Sequence, residues 1–265
     1  MPRSNSPTYA PVDHRSGWST HDTHPKTDPH VVAPVRCESC AVRNTSICGA
    51  LSFEELTELN AISRRKTLRA GETYSMEGDR INEFANIERG VVKLVRGAED
   101  GRSQIVGLLF ESDFLGDFGK QDEALEQPNS IEAVTDLNLC VFPKERFEAL
   151  LERFPTLEHR LLRRAFDELK VAQNWMVLLG RKTAEERVAS FLLHVTEKMQ
   201  NRGCHRTESF DLPINRSDIA DYIGLTIETV SRQITKLRKD GVIVLEGTKH
   251  VVSVDHERLQ ERAGF

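Results

Sequence analysis

The chain has 265 residues, 38% of them apolar and 29% charged, and a net charge of −5. That length suits two domains of ordinary size, and the composition excludes a fibrous or wholly disordered chain. No apolar run approaches the roughly 20 residues of a membrane span and no signal-peptide core precedes the fold, which points to the cytoplasm; the acidic total excludes a basic nucleic-acid coat, though not a reader with one local basic face.

Residues 1–36 hold six of the ten prolines and His14, His21, His24 and His30, with little apolar content. They read as a disordered tail, because such a segment cannot bury enough surface to offset its ordering entropy. The histidine spacing matches no compact metal site. Order is expected from Cys37. Five cysteines without an export signal favour metal or redox chemistry over disulfides. Cys37, Cys40 and Cys48 form C-x2-C-x7-C, and Cys140 lies far along the chain. Four thiolates suit either a zinc ion or an iron–sulfur cluster. Cys204 reads as an ordinary thiol.

Ser52 and Glu55 form a capping box between the staple positions Leu51 and Leu56, so a short helix begins there with Phe53, Leu56, Leu59 and Ile62 on one face. Between Leu68 and Pro143 the pattern turns to short strand-like runs: 73–75, 91–95, 104–109 and 139–142. Turns at Gly71, Gly78, Gly90, Gly97, Gly101 and Gly116 separate them, which suits a small antiparallel barrel or roll. From Pro155 to Gly180 a helix carries Leu157, Leu161, Ala165, Leu169, Ala172, Met176 and Leu179 at steps of three and four. That period resembles a coiled-coil seam, and these residues are the expected dimer interface, with packing on the roll as the plain alternative.

Thr183 and Glu186 box the start of another helix with Val188, Phe191, Leu192 and Val195 on its core face, and 201–208 follows as a loop or ribbon. Residues 212–232 carry a helix-turn-helix pattern. Asn215 is the expected N-cap, Ala220 is small where two helices cross, and Gly224 suits a left-handed turn. Thr226 caps the second helix and Val230 points inward. That helix, Ile227 to Lys239, carries four cations against one anion, reversing the global charge where phosphate contact needs it. Glu228, Ser231 and Arg232 share the face near its N-terminus, with Thr226 and Thr229 beside them and Lys236 behind. Arginine can bond guanine O6 and N7 together, and glutamate can accept from cytosine N4. A hairpin over 242–254 makes the motif winged, with Lys249 able to reach phosphate.

Roll, long helix and winged helix-turn-helix, in that order, resemble the CRP/FNR family of bacterial transcription regulators over residues 37–260. The implied fold is α+β. A cyclic-nucleotide-binding-like antiparallel β-roll with the cysteine arm occupies 37–154, a dimerisation helix 155–180 and a DNA-binding domain 181–265. Glu228-Thr229-Val230-Ser231-Arg232 looks like the FNR-type reading motif, which implies palindromic TTGAT-type half-sites read by Glu228, Ser231 and Arg232. The family's founding branch holds cyclic AMP with an Arg-Ser pair. Here the stretch reads Leu125-Glu126-Gln127-Pro128-Asn129-Ser130, without arginine, which argues against a cyclic nucleotide.

The resemblance also implies a [4Fe–4S] cluster on Cys37, Cys40, Cys48 and Cys140, oxygen-labile as in the family's sensors. The longer final cysteine spacing is similar to that of the FnrN/FnrL/FixK-like subgroup. The expected activity is an activator of anaerobic or microaerobic genes, binding double-stranded DNA as a homodimer at low oxygen and touching RNA polymerase through roll loops such as 97–103 and 111–117. Ile47 either shields the cluster or packs in the arm. The histidines and carboxylates form no nucleophile or acid–base constellation, so an enzyme is not expected. The open alternatives are structural zinc, a haem- or nitric-oxide-sensing regulator of the same fold, and a DNA-binding regulator without cofactor.

Overall fold

The computed structural model describes residues 35–80, 82–116, 127–200 and 209–264. The histidine tail, Leu125, Glu126, Cys204 and the 201–208 connection lie outside the described residues.

A one-turn helix, α1 (Val35–Glu38), and a 3-10 turn (Ile47–Ala50) make the arm that carries Cys37, Cys40 and Cys48. Helix α2 (Phe53–Ile62) starts where expected: Glu55 N donates to Ser52 Oγ, and Ser52 N donates to Glu55 Oε2 at 2.7 Å. Leu56 and Leu59 are buried, whereas Phe53 is turned out to solvent and is not part of the inner face.

Eight strands form the roll: β1 (Arg64–Leu68), β2 (Thr73–Ser75), β3 (Glu83–Arg89), β4 (Val92–Gly97), β5 (Ser103–Leu109), β6 (Phe114–Leu115), β7 (Ser130–Ala133) and β8 (Leu137–Pro143). They make two antiparallel sheets in the orders β1-β8-β3-β6 and β2-β7-β4-β5. Alternation sets the two faces of β3 and β8. Ala85, Ile87, Leu139 and Val141 fill the roll, while Phe84 and Phe142 face outward into a second core beneath the arm. Strands β1 and β3 carry no glycine and many charges, so they escape a search for apolar runs. Gly97 forms no turn; it pairs with Ser103 at the end of β4.

Helix α3 (Lys144–Arg153) leads into α4 (Pro155–Arg181), which continues through Gly180 and is capped at Lys182. Two faces of α4 differ. Leu157 is fully buried under the arm with Ile47, Phe84 and Phe147, and Leu161 leans on the same cluster. These two residues therefore belong to the monomer core and leave the expected seam. The exposed stripe instead runs Leu162, Ala165, Phe166, Leu169, Met176 and Val177, with Leu162 53% and Phe166 56% exposed. Ala172 and Leu179 flank it, also exposed. The departure has a simple cause: a row stepping four, four, four drifts around a helix of 3.6 residues per turn, so its start and its end face different sides.

The C-terminal module comprises α5 (Ala184–Gln200), β9 (Phe210–Asp211), α6 (Arg216–Ile223), α7 (Ile227–Lys239), the hairpin β10 (Ile243–Glu246) and β11 (His250–Val254), and α8 (His256–Arg262). Strands pair in the order β10-β11-β9. The core of this module is continuous with Val91, Ile105, Leu108 and Phe110 of the roll. Among the described residues no helix is long and apolar enough to cross a membrane.

Candidate functional site

The turn between α6 and α7 is built as the motif requires. Asn215 accepts from Asp218 N at 2.8 Å, Gly224 closes α6 at φ +63°, and Thr226 accepts from Thr229 N at 3.3 Å. Ala220 and Val230 are buried at the helix crossing. This holds α7 with one flank inward, through Val230, Ile234 and Leu237, and the other open to solvent.

On the open flank Glu228 and Arg232 are exposed and Ser231 is half-buried. The carboxyl of Glu228 is held below the usual carboxylate range by the amide at the helix start and by the Thr226 hydroxyl. Arg232 donates from Nη2 to Thr229 Oγ1 at 3.1 Å, and the Thr226 hydroxyl reaches the same oxygen at 3.1 Å. Thr226 and Thr229 thus hold Glu228 and Arg232 from within the helix end. A shallow groove beside them is lined by Ser231, Arg232, Thr235, Lys236, Lys239 and Asp240. Lys236 lies 2.6 Å from Glu185 on α5, and Lys249 stands exposed at the tip of the β10–β11 hairpin.

A residue that local sequence could not single out is Arg187 on α5. Its Nη1 donates to the carbonyls of Ile223 and Gly224 at 3.2 and 3.3 Å, and its Nη2 to Leu179 O at 2.7 Å. One guanidinium therefore clasps the carboxyl ends of α6 and α4, where unpaired carbonyls favour a cation. Trp175 of α4 packs at a tilt against Tyr222 of α6, with ring centroids 4.3 Å apart. The long helix and the reading motif are joined by both contacts.

The second site is the cysteine region. Cys140 sits on β8 opposite Arg65 of β1 and Asn86 of β3, on the sheet face that the arm covers. Cys48 and Cys140 both pack against the cluster of Ile47, Leu59, Phe84 and Phe147. Ile47 is completely buried there, so it packs in the arm and forms part of the apolar floor next to Cys48. Cys37 Sγ lies 3.7 Å from Asn60 Oδ1.

The four thiols feel one another. Burial pushes Cys48 up to about 12, with Cys37 and Cys40 adding repulsion; burial pushes Cys140 up to about 12, with Glu88, Cys48 and Cys37 adding more. Cys37 and Cys40 are raised as well, chiefly by burial. All four are free thiols. Such thiols become ligands only when a bound cation supplies the positive charge that the protein withholds. Among the described residues no three Cys, His, Asp or Glu side chains are gathered as tightly as a single ion requires. A tetrahedral zinc, with Zn–S bonds near 2.3 Å, needs sulfur pairs only about 3.8 Å apart. A four-iron cube carries each thiolate on a separate iron. As donors the four thiols suit a zinc ion and an iron–sulfur cluster alike.

The expected polymerase-contacting loops differ in character. The 98–102 turn is exposed, but Asp113, within the 111–117 stretch, is buried and fully engaged, so its flank of that loop is not a free surface. Asp117 lies outside the described residues.

Two family models match the chain: a Crp-like helix-turn-helix domain over residues 186–262 and a cyclic nucleotide-binding domain over residues 65–154. The chain is 42% identical to the transcriptional activator protein FnrL of Cereibacter sphaeroides, over 86% of this chain and 92% of that protein. It is 40% identical to the nitrogen fixation regulation protein FixK of Bradyrhizobium diazoefficiens, over 79% of this chain and 86% of that protein. It is 30% identical to the fumarate and nitrate reduction regulatory protein of Escherichia coli K12, covering 87% of this chain and 91% of that protein. The structure of FixK2 from Bradyrhizobium japonicum superposes with a TM-score of 0.66 at 28% identity, covering 76% of this chain and 96% of that one.

Proposed function

The chain belongs to the CRP/FNR family of transcription regulators, being of the FnrL/FixK-like kind and not an enzyme, and from that premise we propose that it is an oxygen-responsive activator whose DNA binding depends on a [4Fe–4S] cluster. The observation that carries the reading is the meeting of the arm's Cys37, Cys40 and Cys48 with Cys140 of β8 on one sheet face.

When bound, the cluster supplies four irons for four thiolates and a lability toward oxygen. The chain's own residues do the rest. Held by one cluster, the three arm thiols and Cys140 would tie the arm to β8, beside the packing of Ile47 and its neighbours. Cys140 lies at the end of the roll just before α3 and α4, so a tie there bears on the long helix. The exposed stripe of Leu162, Phe166, Leu169 and Met176 pairs with the same stripe of a second copy. Exposed alanines, Ala165 and Ala172, beside it keep that pairing weak enough to be switched. Two copies of α7 then stand one DNA turn apart and read a palindrome. Glu228, Ser231 and Arg232 contact bases of TTGAT-type half-sites, Thr226 and Thr229 orient them, and Lys236 and Lys249 reach phosphates. The exposed 98–102 turn is the roll surface left for RNA polymerase.

The test is protein purified without oxygen, assayed for iron, acid-labile sulfide, visible absorption and binding to a palindromic duplex, before and after air. Expected is a brown protein whose band bleaches in air with loss of DNA affinity, and a colourless Cys140→Ala variant that binds weakly throughout. A colourless wild type holding zinc or no metal would overturn the oxygen-sensing reading, as would a Soret band from haem; DNA recognition by α7 would stand.

A further inference from the structure

Three segments far apart in the chain meet at one buried carboxylate, and a fourth reaches it through an arginine. Asp113 lies in the turn between β5 and β6, and its Oδ2 accepts from Phe110 N at 2.9 Å. Its Oδ1 accepts from Arg164 Nη1 of α4 at 3.3 Å, and both oxygens accept from Lys198 Nζ of α5 at 3.2 Å. Arg164 turns its other nitrogen, Nη2, to the carbonyl of Thr45 at 2.7 Å. Thr45 belongs to the arm, between Cys40 and Cys48, and its hydroxyl is 2.5 Å from that of Ser112.

The turn itself is held in an unusual conformation. Among the described residues Ser112 is the non-glycine residue with positive φ, at +77°. A residue with a side chain adopts that region rarely, and it persists where the surroundings over-determine it. Here Ser112 N donates to Ile87 O at 2.9 Å and Ile87 N to Asp113 O at 3.0 Å, which pins the turn to β3. Phe110, also buried, meets the ring of His194 on α5 edge-on at 6.0 Å. The same short turn therefore grips the arm, the long helix and the first helix of the DNA-reading module.

We infer that this turn is the junction through which the cysteine arm sets the position of the DNA-reading module, with Asp113, Arg164 and Lys198 as positioning residues. The inference rests on the functional reading above and adds a route that does not pass through the dimer stripe. Two cations share the desolvated Asp113, with Glu168 of α4 close enough to feel all three: the side chains of Asp113 and Arg164 are only 11% and 20% exposed. Inside such a low-dielectric pocket a change in one partner alters the pull on the other. If the arm moves, Arg164 loses the Thr45 carbonyl, and Asp113 is redistributed between α4 and α5. Arg164 lies on the face of α4 away from Leu162 and Phe166, so the junction acts within one copy of the chain.

The experiment uses the full chain and measures affinity for a palindromic duplex in the form purified without oxygen and again after air bleaching. The readout is the ratio of the two. For wild type a ratio of about 5- to 150-fold is expected of such coupling. Arg164→Met and Lys198→Met should retain iron, sulfide, bleaching rate and the monomer–dimer constant, while the ratio falls to within about twofold of unity. A purely structural network would weaken both forms alike and keep the ratio, and that result would overturn the inference. Asp113→Asn should behave as the two cation variants do; if it does not fold, they decide alone because each leaves the buried anion one partner. A wild type without iron and sulfide would instead overturn the functional reading, and the junction with it, because no input would remain to relay.

Discussion

Glu185 at the start of α5 holds Lys236 of the recognition helix at 2.6 Å, and its other oxygen binds Arg262 of α8. A Lys236 that meets a phosphate has to leave this partner, whose negative charge would oppose the approach. Replacing Glu185 with glutamine should therefore raise affinity for any duplex, irrespective of sequence. The slope of log affinity against log salt should steepen by about one unit, as one more cation becomes available. Stability should fall by about 1 kcal/mol, since Glu185 is only partly exposed and gives up both Lys236 and Arg262. An unchanged slope in a salt titration would show that Lys236 never faces phosphate.

The two faces of α4 separate monomer stability from association. Leu157→Ala should cost about 2–5 kcal/mol in urea unfolding, because the residue fills the core under the arm. Phe166→Asp should leave monomer unfolding within about 0.5 kcal/mol of wild type while abolishing the dimer in sedimentation. Reversed effects would mean that the exposed stripe is not the interface.

His194 sets an acid limit. It is packed between Phe110 and Trp175, and burial, followed by the nearby Lys198, pushes it down to about 4. The folded chain refuses a proton that the unfolded chain accepts near pH 6.5. Stability is thus unaffected by this group above pH 6.5 and falls as pH drops toward 4, by up to about 3 kcal/mol. Unfolding measured between pH 7.5 and 4.5 should show that loss, and His194→Phe should flatten it. A wild-type profile already flat over that range would refute the assignment.

Gly224 is required for its backbone and not for its space. A methyl group there would meet Leu179 Cδ2 at 3.5 Å and Arg187 Nη1 at 3.6 Å, both ordinary contacts, but φ is +63°. Gly224→Ala should cost about 1–2 kcal/mol in thermal or urea unfolding of the reading module. A loss above about 4 kcal/mol would point to a steric cause that the surroundings do not contain.

Much of this architecture was legible locally. The boxes at Ser52 and Thr183, the caps at Asn215 and Thr226 and the left-handed Gly224 depend on residues three or four apart, and each formed as its spacing required. The exposed flank of α7, with Glu228 and Arg232, was legible for the same reason. What escaped was set at long range. The charged strands β1 and β3 exist because β8 lies between them, and nothing in their own composition announces it. Leu157 and Leu169 look equivalent in a heptad-like row, yet one is buried and the other exposed, because the arm covers only the start of α4. The loop at Asp113 looks like free surface until Arg164 and Lys198 are brought to it. Residue type and spacing alone determined the caps and the exposed flank of α7, and set four thiols in the chain. Only the tertiary structure decided which face of the long helix is free and which charges are already paired, since both depend on what the chain folds against.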